Sequence, residues 1–237
     1  MNIAAIIPAR GGSKGIPRKN ICNLGGIPLV AWSINKAQAC PTINNIYVST
    51  DDSEIAEISR SYGAETPFMR PATLALDTTT TVESISYFLG QLATIKKLPD
   101  LVVLLQPTQP FRSVETISRA IKLAQTKQSG VVSVSHVKEN PILMRKVINN
   151  NSQIENILLE QNSTIRRQDF PAIYRVNGAV YVNSPSDYFS KKSLNDNKFC
   201  VITNMIEGID IDEPEDLLYA NWLIARGVVP PPKIASY

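Results

Sequence analysis

Short apolar segments alternate with helical patterns along most of this chain, and the alternation constrains the fold more than any other feature. Apolar runs occupy residues 3–7 and 101–105, and residues 46–49 are apolar up to Ser49. Strands covered by helices on both faces are hydrophobic throughout, whereas half-exposed antiparallel strands alternate with polar residues. The sequence therefore predicts an α/β fold, in which a Rossmann-like, mostly parallel sheet forms the middle layer of a three-layer α/β/α arrangement.

The other predicted elements follow the same alternation. Further strands are predicted at residues 130–137, 179–182 and 200–203. Apolar residues at helical spacing predict helices at 27–39, 53–62, 82–96, 114–126 and 214–226, with Asp51 or Asp52 capping the second. The periodicity weakens over residues 138–171, which indicates an excursion, either a loop or a partner-facing arm. We expect one domain over residues 1–237 that carries this excursion.

Length and charge exclude several classes of protein. A chain of 237 residues can bury a large core. Its 24 basic and 21 acidic residues are interspersed, which argues against a nucleic-acid partner or a membrane surface. No apolar run is long enough for a signal peptide or a membrane span. We therefore expect any anionic partner to be small.

Cysteine and histidine usage narrows the chemistry. Cys22, Cys40 and Cys200 are far apart and form no CxxC pair, which favours a reducing compartment, the cytoplasm by default. His136 is the only histidine, so a multi-histidine metal centre is excluded. We interpret His136 as structural, and we expect carboxylates, lysines and arginines to carry any catalysis.

A glycine-rich loop follows the first predicted strand. Residues 10–20 read Arg-Gly-Gly-Ser-Lys-Gly-Ile-Pro-Arg-Lys-Asn and place four cations, Arg10, Lys14, Arg18 and Lys19, within eleven residues. Backbone N–H groups freed by glycines can approach phosphate oxygens, so the loop suits a triphosphate. Its spacing is neither that of a P-loop nor that of a dinucleotide fingerprint. The alternative interpretation is a solvated loop with incidental charges.

Six motifs in order make the chain recognisable. Residues 6–20, Ile-Ile-Pro-Ala-Arg-Gly-Gly-Ser-Lys-Gly-Ile-Pro-Arg-Lys-Asn, closely resemble the opening signature of the CMP-sialic acid synthetases. This family of cytidylyltransferases includes the legionaminate and pseudaminate enzymes. The likeness extends over nearly the whole chain through Val-Ser-Thr-Asp at 48–51, Arg-Pro-Ala at 70–72, Leu-Leu-Gln-Pro-Thr at 104–108, Arg-Val-Asn-Gly-Ala at 175–179 and Ile-Asp-Ile-Asp at 209–212.

The resemblance implies a reaction and a set of site residues. The anomeric hydroxyl of an acidic nine-carbon sugar would attack the α-phosphate of CTP, and pyrophosphate would leave. Arg10, Lys14, Lys19 and Asp210 would be the catalytic residues. The implied nucleotide-binding residues are Arg10, Gly11, Gly12, Ser13, Lys14, Asn20, Arg70, Asp77, Thr80 and Thr81. The implied sugar-binding residues are Gln106, Arg167, Arg175 and Asn177. An arginine pairs bidentately with a carboxylate, which suits an acidic sugar.

Asp210 and Asp212 are the candidate metal ligands. In an extended segment, residues two apart point to the same face, so both carboxylates could reach one Mg²⁺ ion, for which Mn²⁺ could substitute. Ile209 and Ile211 would then face the core. Asp212 could instead cap the helix that follows, with Glu215 three positions on.

The resemblance also implies a fold of the nucleotide-diphospho-sugar transferase type and a homodimer, with residues 138–171 as the dimerisation arm. A legionaminate- or N-acetylneuraminate-type acid is favoured over pseudaminate or 3-deoxy-manno-octulosonate. A sugar-1-phosphate nucleotidyltransferase, a glycosyltransferase and a non-catalytic nucleotide-binding module stay open. The cationic loop argues against a glycosyltransferase, and the Asp210 and Asp212 pair argues against a binding module.

Overall fold

A six-stranded sheet forms the centre of the computed structural model, which describes residues 1–148, 152–158 and 166–232. The strands are β1 (Ile3–Pro8), β2 (Asn23–Leu24), β3 (Ile27–Pro28), β4 (Asn45–Ser49), β5 (Leu101–Leu104), β6 (Val131–His136), β7 (Arg145–Ile148), β8 (Gln153–Asn156), β9 (Tyr174–Asn183) and β10 (Phe199–Thr203). The α-helices are α1 (Leu29–Gln38), α2 (Ser53–Ser61), α3 (Thr81–Thr94), α4 (Val114–Lys127), α5 (Pro185–Phe189) and α6 (Pro214–Ala225).

The strand order confirms a mostly parallel sheet. The order is β10-β6-β9-β5-β1-β4, and β1 runs parallel to both of its neighbours, as β10 does to β6. β9 is antiparallel to β5 and β6 and is bulged against β6 between Val132 and Val134. The strand predicted at 179–182 is part of β9, which is longer than expected because it begins at Tyr174.

Helices cover both faces of the sheet and produce the three layers. One apolar cluster joins the sheet to α1, α2 and α4, and a second joins the opposite face to α3 and α5. A third cluster packs α6 against α1 and the β2–β3 hairpin. Among the described residues, no helix has both the length and the apolar character needed to cross a membrane.

Local sequence explains where most helices begin. Asp52 caps α2 by accepting the Ile55 N–H at 3.0 Å, and the Thr80 hydroxyl caps α3 by accepting the Glu83 N–H at 3.2 Å. The helix predicted from residue 27 begins instead at Leu29. Ile27–Pro28 pairs with Asn23–Leu24 around Gly25 and Gly26, whose φ angles of 62° and 87° suit a tight hairpin turn.

The predicted excursion at 138–171 contains the antiparallel hairpin β7–β8, which is separate from the central sheet. Val147 and Ile154 are cross-strand partners, and both side chains are exposed. Residues 149–151 and 159–165 of this segment lie outside the described part of the chain.

Candidate functional site

A cleft of about 440 Å³ lies at the carboxyl ends of β1 and β5, where ligands bind in open α/β sheets. It is bounded by the loop after β1, by the turn after β5, by the segment before α3 and by the residues before α6. The predicted site residues that line it are Arg10, Ser13, Lys14, Lys19, Asn20, Arg70, Asp77, Thr80, Thr81, Gln106 and Asp212. Gly11, Gly12 and Asp210 are not among its lining residues.

Two hydrogen bonds and one close approach at a glycine hold the loop after β1 in place. The Gly11 N–H donates to Asp51 Oδ1 at 3.0 Å, and Asn20 Nδ2 donates to the Arg10 carbonyl at 2.8 Å. A Cβ atom at Gly15 would overlap the Asp212 carbonyl oxygen. This close approach brings the loop against the segment that carries the two predicted metal ligands.

Three of the four loop cations meet carboxylates inside the cleft. Arg10 Nη1 and Lys14 Nζ each lie 2.8 Å from one oxygen of Asp77, and Lys19 Nζ lies 2.7 Å from Asp212 Oδ1. The hydrogen bond from Lys14 and the charges of both cations hold the pKa of Asp77 below its usual range. The fourth cation, Arg18, turns away and pairs with Asp52 and Glu54.

Asp210 and Asp212 flank a buried anchor. Ile211 has no solvent exposure, and its N–H donates to the Thr108 carbonyl at 2.8 Å. Asp210 Oδ1 is buried without a hydrogen-bond partner. Burial raises the pKa of Asp210, and the negative charge of Asp212 adds to that effect. A buried carboxylate oxygen that has no hydrogen-bond partner in the protein is able to accept a cation as its partner.

The alternative role of Asp212 as a helix cap is wrong. The N-cap of α6 is Glu213, because Pro214 occupies the first helical position. Asp216, and not Glu215, reaches back and accepts the N–H groups of Asp212 and Glu213 at 3.0 and 2.9 Å. The Asp212 carboxylate is thus left to face the cleft and Lys19. Among the residues that the structure describes, no group of three or more histidine, cysteine or acidic side chains is placed to hold a metal ion, so a metal at this pair would need further ligands such as substrate oxygens or water.

Arg70 and the threonines form the opposite wall of the cleft. Arg70 is buried and donates to the Ser49 carbonyl at 2.5 Å and to Ser49 Oγ at 3.3 Å, and burial lowers its pKa. These bonds fix its guanidinium at the end of β4. Thr80 and Thr81 line the cleft and also begin α3, with Thr80 as its N-cap and Thr81 as its first residue.

A second cleft of about 510 Å³ adjoins the first, and the two share Thr80, Thr81 and Gln106. Gly178 fits against Gln106, because its φ is 75° and a Cβ atom there would lie 2.8 Å from Gln106 Oε1. The other side chains of this cleft include Tyr181, Lys191 and Asn195. The Tyr181 hydroxyl donates to Asn195 Oδ1 at 2.9 Å.

The remaining predicted sugar-binding residues line neither cleft. Asn177 is buried, accepts from Ser133 Oγ at 2.6 Å and donates to Thr203 Oγ1 at 2.7 Å, so its amide joins three strands of the sheet. Arg175 Nη2 donates to the Gly208 carbonyl at 3.3 Å. Arg167 begins a short 3-10 turn, Arg167–Asp169, and its side chain lies outside the described part of the structure.

Sequence reasoning missed Arg112 and the second cleft. Arg112 has no solvent exposure, and burial lowers its pKa to about 9, so it stays protonated at neutral pH. No periodicity distinguishes an arginine that folds inward after a turn from an exposed one. Tyr181 alternates with buried valines along β9 and was indistinguishable from a core residue. His136 is exposed, packs edge to face on Tyr174 and lines neither cleft.

Comparisons with known proteins agree with this geometry. The model of a family described as cytidylyltransferase matches residues 4–223. The chain is 35% identical over 218 residues to the CMP-N,N'-diacetyllegionaminic acid synthase of Legionella pneumophila, covering 91% of this chain and 93% of that protein. It is 31% identical over 226 residues to the pseudaminic acid cytidylyltransferase of Campylobacter jejuni, covering 94% of this chain and 96% of that protein.

A solved structure shows the same fold at lower identity. The CMP:2-keto-3-deoxy-manno-octonic acid synthetase, determined in complex with CTP, matches with a TM-score of 0.73 and 15% identity. The match covers 96% of this chain and 100% of that one. The layered arrangement predicted from the sequence is therefore confirmed, and it is also the fold of this solved enzyme.

Proposed function

This chain belongs to the cytidylyltransferase family, and from that premise we propose that it transfers the cytidylyl group of CTP to an acidic nine-carbon sugar. The observation that carries the proposal is a single cleft that is lined by three loop cations, Arg10, Lys14 and Lys19, and by Asp212, which Lys19 contacts at 2.7 Å. Such a site can neutralise a triphosphate at one end and position a metal ion at the other.

The nucleotide would occupy the first cleft. Arg10, Lys14 and Lys19 would bind the triphosphate by charge-assisted hydrogen bonds, and Asn20 would keep the loop closed on it through the Arg10 carbonyl. Arg70 and the threonines before α3 would form the cytidine side of the cleft. The α-phosphate would then lie near Gln106, where the two clefts meet.

The sugar would occupy the second cleft. Its anomeric hydroxyl oxygen forms a bond to the α-phosphorus, the bond to the β-phosphate oxygen breaks, pyrophosphate leaves and the hydroxyl proton passes to solvent or to a leaving phosphate oxygen. Lys191 brings one positive charge to this cleft and would meet the sugar carboxylate. In this arrangement, Arg175 and Asn177 support the sheet below the cleft instead of contacting the sugar.

The carboxylates of Asp210 and Asp212 fit a Mg²⁺ ion, or Mn²⁺ in its place. The buried, unpartnered Oδ1 of Asp210 and the exposed carboxylate of Asp212 supply hard oxygen ligands, and Mg²⁺ commonly uses one or two carboxylates together with substrate phosphates. A bound ion would neutralise charge on the phosphate oxygens. Lys19 is placed to hold Asp212 toward the cleft before the nucleotide arrives.

Asp77 is expected to oppose nucleotide binding. Its carboxylate bridges Arg10 and Lys14, the two cations that the triphosphate would need, so it must be displaced when the nucleotide binds. Asp77→Asn should tighten CTP binding by about threefold to tenfold, because an uncharged amide competes less well for these cations. Isothermal titration with CTP measures this change, with the exposed Asp100→Asn as the control. Weaker binding in Asp77→Asn would instead assign Asp77 a direct contact with the nucleotide.

The sugar is proposed to be of the legionaminate or N-acetylneuraminate type, with pseudaminate and 3-deoxy-manno-octulosonate as alternatives. Pyrophosphate release is measured with CTP, Mg²⁺ and each acid in turn, and sugar-1-phosphates serve as the competing substrate class. Turnover with a nine-carbon acid supports the proposal. No release with any acid, together with turnover of a sugar-1-phosphate, would overturn it.

A homodimer and a cytoplasmic location are part of the same proposal. Apolar side chains are exposed on the β7–β8 hairpin, just before it, and on β9 and β10, and they are Leu143, Met144, Val147, Ile154, Tyr174, Val176 and Ile202. Exposed apolar surface is typical of an interface when it forms one large patch, which a dimer of this chain would bury. The three cysteines are free, as a reducing compartment would keep them.

The dimer has a direct test. Light scattering is expected to give twice the chain mass of 26.1 kDa, and Val147→Lys combined with Ile154→Lys should shift the protein toward monomer. The matched control is Leu218→Lys on the exposed face of α6, which should leave the mass unchanged. A wild-type protein with the mass of a single chain at working concentration would contradict the dimer.

A further inference from the structure

Arg112 is a fully buried cation directly behind the cleft. It follows the turn of residues 106–109 by three positions and has no solvent exposure. Nη1 donates to Ser33 Oγ at 2.7 Å, and Nη2 donates to the carbonyl of Gln106. Nε has no hydrogen-bond partner. Burying a guanidinium in this way is costly, which points to a purpose beyond packing.

The turn that Arg112 holds connects the two halves of the site. Its first residue, Gln106, lies where the two clefts meet, and the Gln106 carbonyl also accepts the Gln109 N–H at 3.3 Å. Its third residue, Thr108, accepts the Ile211 N–H through its carbonyl at 2.8 Å. Ile211 lies between the two predicted metal ligands. The Arg112 side chain therefore anchors a turn that contacts both the boundary of the two clefts and the segment of the predicted metal ligands.

The charges around Arg112 favour one fixed position. The negative charges of Asp210 and Glu207 act on its guanidinium. Glu207 is buried and is held from α4 by the Thr116 hydroxyl at 2.6 Å and from its own loop by Asn204 at 3.3 Å. The guanidinium thus lies within electrostatic range of two carboxylates, one of them held in place by hydrogen bonds and the other in the segment of the predicted metal ligands.

We propose that Arg112 is a positioning residue for cytidylyl transfer, which sets Gln106 at the boundary of the clefts and, through Thr108, the segment of Asp210 to Asp212. The effect of Arg112 on transfer rests on the proposed function, whereas its effect on the positions of the two segments does not. In the part of the chain that the structure describes, Arg112 makes no hydrogen bond or ion pair with the side chains of the loop after β1 that would bind the triphosphate. Its loss should therefore affect the transfer step more than nucleotide binding.

The test compares Arg112→Met with Arg119→Met, which changes an exposed arginine on α4. Arg112→Met is expected to lower kcat at least tenfold while the Kd for CTP changes less than threefold. Hydrogen exchange should accelerate in residues 106–109 and 209–212 but not in α3. Arg119→Met should leave all three quantities unchanged. Ser33→Ala removes the hydroxyl that accepts from Arg112 and that donates to the Gln106 carbonyl at 3.4 Å, keeps the charge of Arg112 and should lower kcat by a smaller factor in the same direction.

A double-mutant cycle separates positioning from a purely structural role. If Arg112 acts through Gln106, the loss caused by Arg112→Met should shrink when Gln106→Ala is already present. Additive losses, an unchanged kcat in Arg112→Met, or exchange that accelerates only outside the two segments would overturn the inference. Where Arg112→Met does not fold, an unchanged kcat in Ser33→Ala overturns it. A wild-type protein inactive with every acid would refute the proposed function alone, since the exchange result still decides the role of Arg112.

Discussion

Asp210→Asn is expected to lower the rate of pyrophosphate release by about 10²-fold or more while making the metal-free protein more stable. The loss follows from removing one of two carboxylates that would hold the metal at the reacting phosphate, where a single electrostatic group commonly contributes about 10²–10³-fold. The gain follows because burial outweighs the hydrogen bonds and charges that favour the ionised form and raises the pKa of Asp210, whereas a neutral amide of similar shape costs less free energy to bury.

The two effects are measured on the same samples. Pyrophosphate release gives the rate, and a thermal melt in chelator gives the stability, for which each 1 kcal/mol shifts Tm by about 2–4 °C in a chain of this size. The control is Asp100→Asn, which lies just before β5 at the end of the strand away from the cleft. It should change the rate by less than twofold and Tm by less than one degree. Near-normal turnover in Asp210→Asn would remove Asp210 from the site. A clear fall in Tm would show that its carboxylate is satisfied within the protein.

Lys19→Met is expected to lower kcat/KM for CTP by about 10²-fold, because a hydrogen bond to a charged group contributes about 1.5–3 kcal/mol. Lys19 is 14% exposed, lines the first cleft and holds Asp212 at 2.7 Å. In the proposed arrangement it would therefore contact both the triphosphate and one of the two proposed metal ligands. Methionine keeps the length of the aliphatic stem and removes the charge.

The control for Lys19 is Lys97→Met, which removes an exposed lysine that pairs with Glu65 away from the cleft. Steady-state kinetics at varied CTP separates the parameters, and we expect KM and kcat both to worsen in Lys19→Met and neither in Lys97→Met. A change below threefold in Lys19→Met would show that this lysine does no more than pair with Asp212.

The six strands of the central sheet and the five longer helices were predictable because their determinants are local, whereas the short strands β2, β3, β7 and β8 were not predicted. Residues 3–7 and 101–105 are apolar throughout, and Asp52 and Pro214 mark helix starts that the structure shows. The direction of β9 was not predictable, since an apolar run contains no signal for parallel or antiparallel pairing. The start of α1 was predicted two residues too early, because Ile27 and Pro28 pair with Leu24 and Asn23 as a strand despite their helical spacing.

The candidate site was predictable where a motif lies in one loop and less so where it depends on packing. Arg10, Lys14 and Lys19 were expected together and line one cleft, whereas Arg18, equal to them in sequence, is drawn to Asp52 and Glu54. Asn177 was expected at the sugar, yet its amide is used within the sheet. Arg112 could not be found at all, because its role arises from burial behind a turn and not from any spacing.

The most direct test of the central claim follows one oxygen atom. The nine-carbon acid is labelled with ¹⁸O at its anomeric hydroxyl, incubated with CTP, Mg²⁺ and enzyme, and the products are observed by ³¹P NMR. Attack of that hydroxyl on the α-phosphate predicts a single phosphodiester resonance with the isotope shift of a bridging ¹⁸O, and unlabelled pyrophosphate. A product with two coupled phosphorus atoms, or one whose bridge lacks the label, would contradict cytidylyl transfer to the sugar hydroxyl.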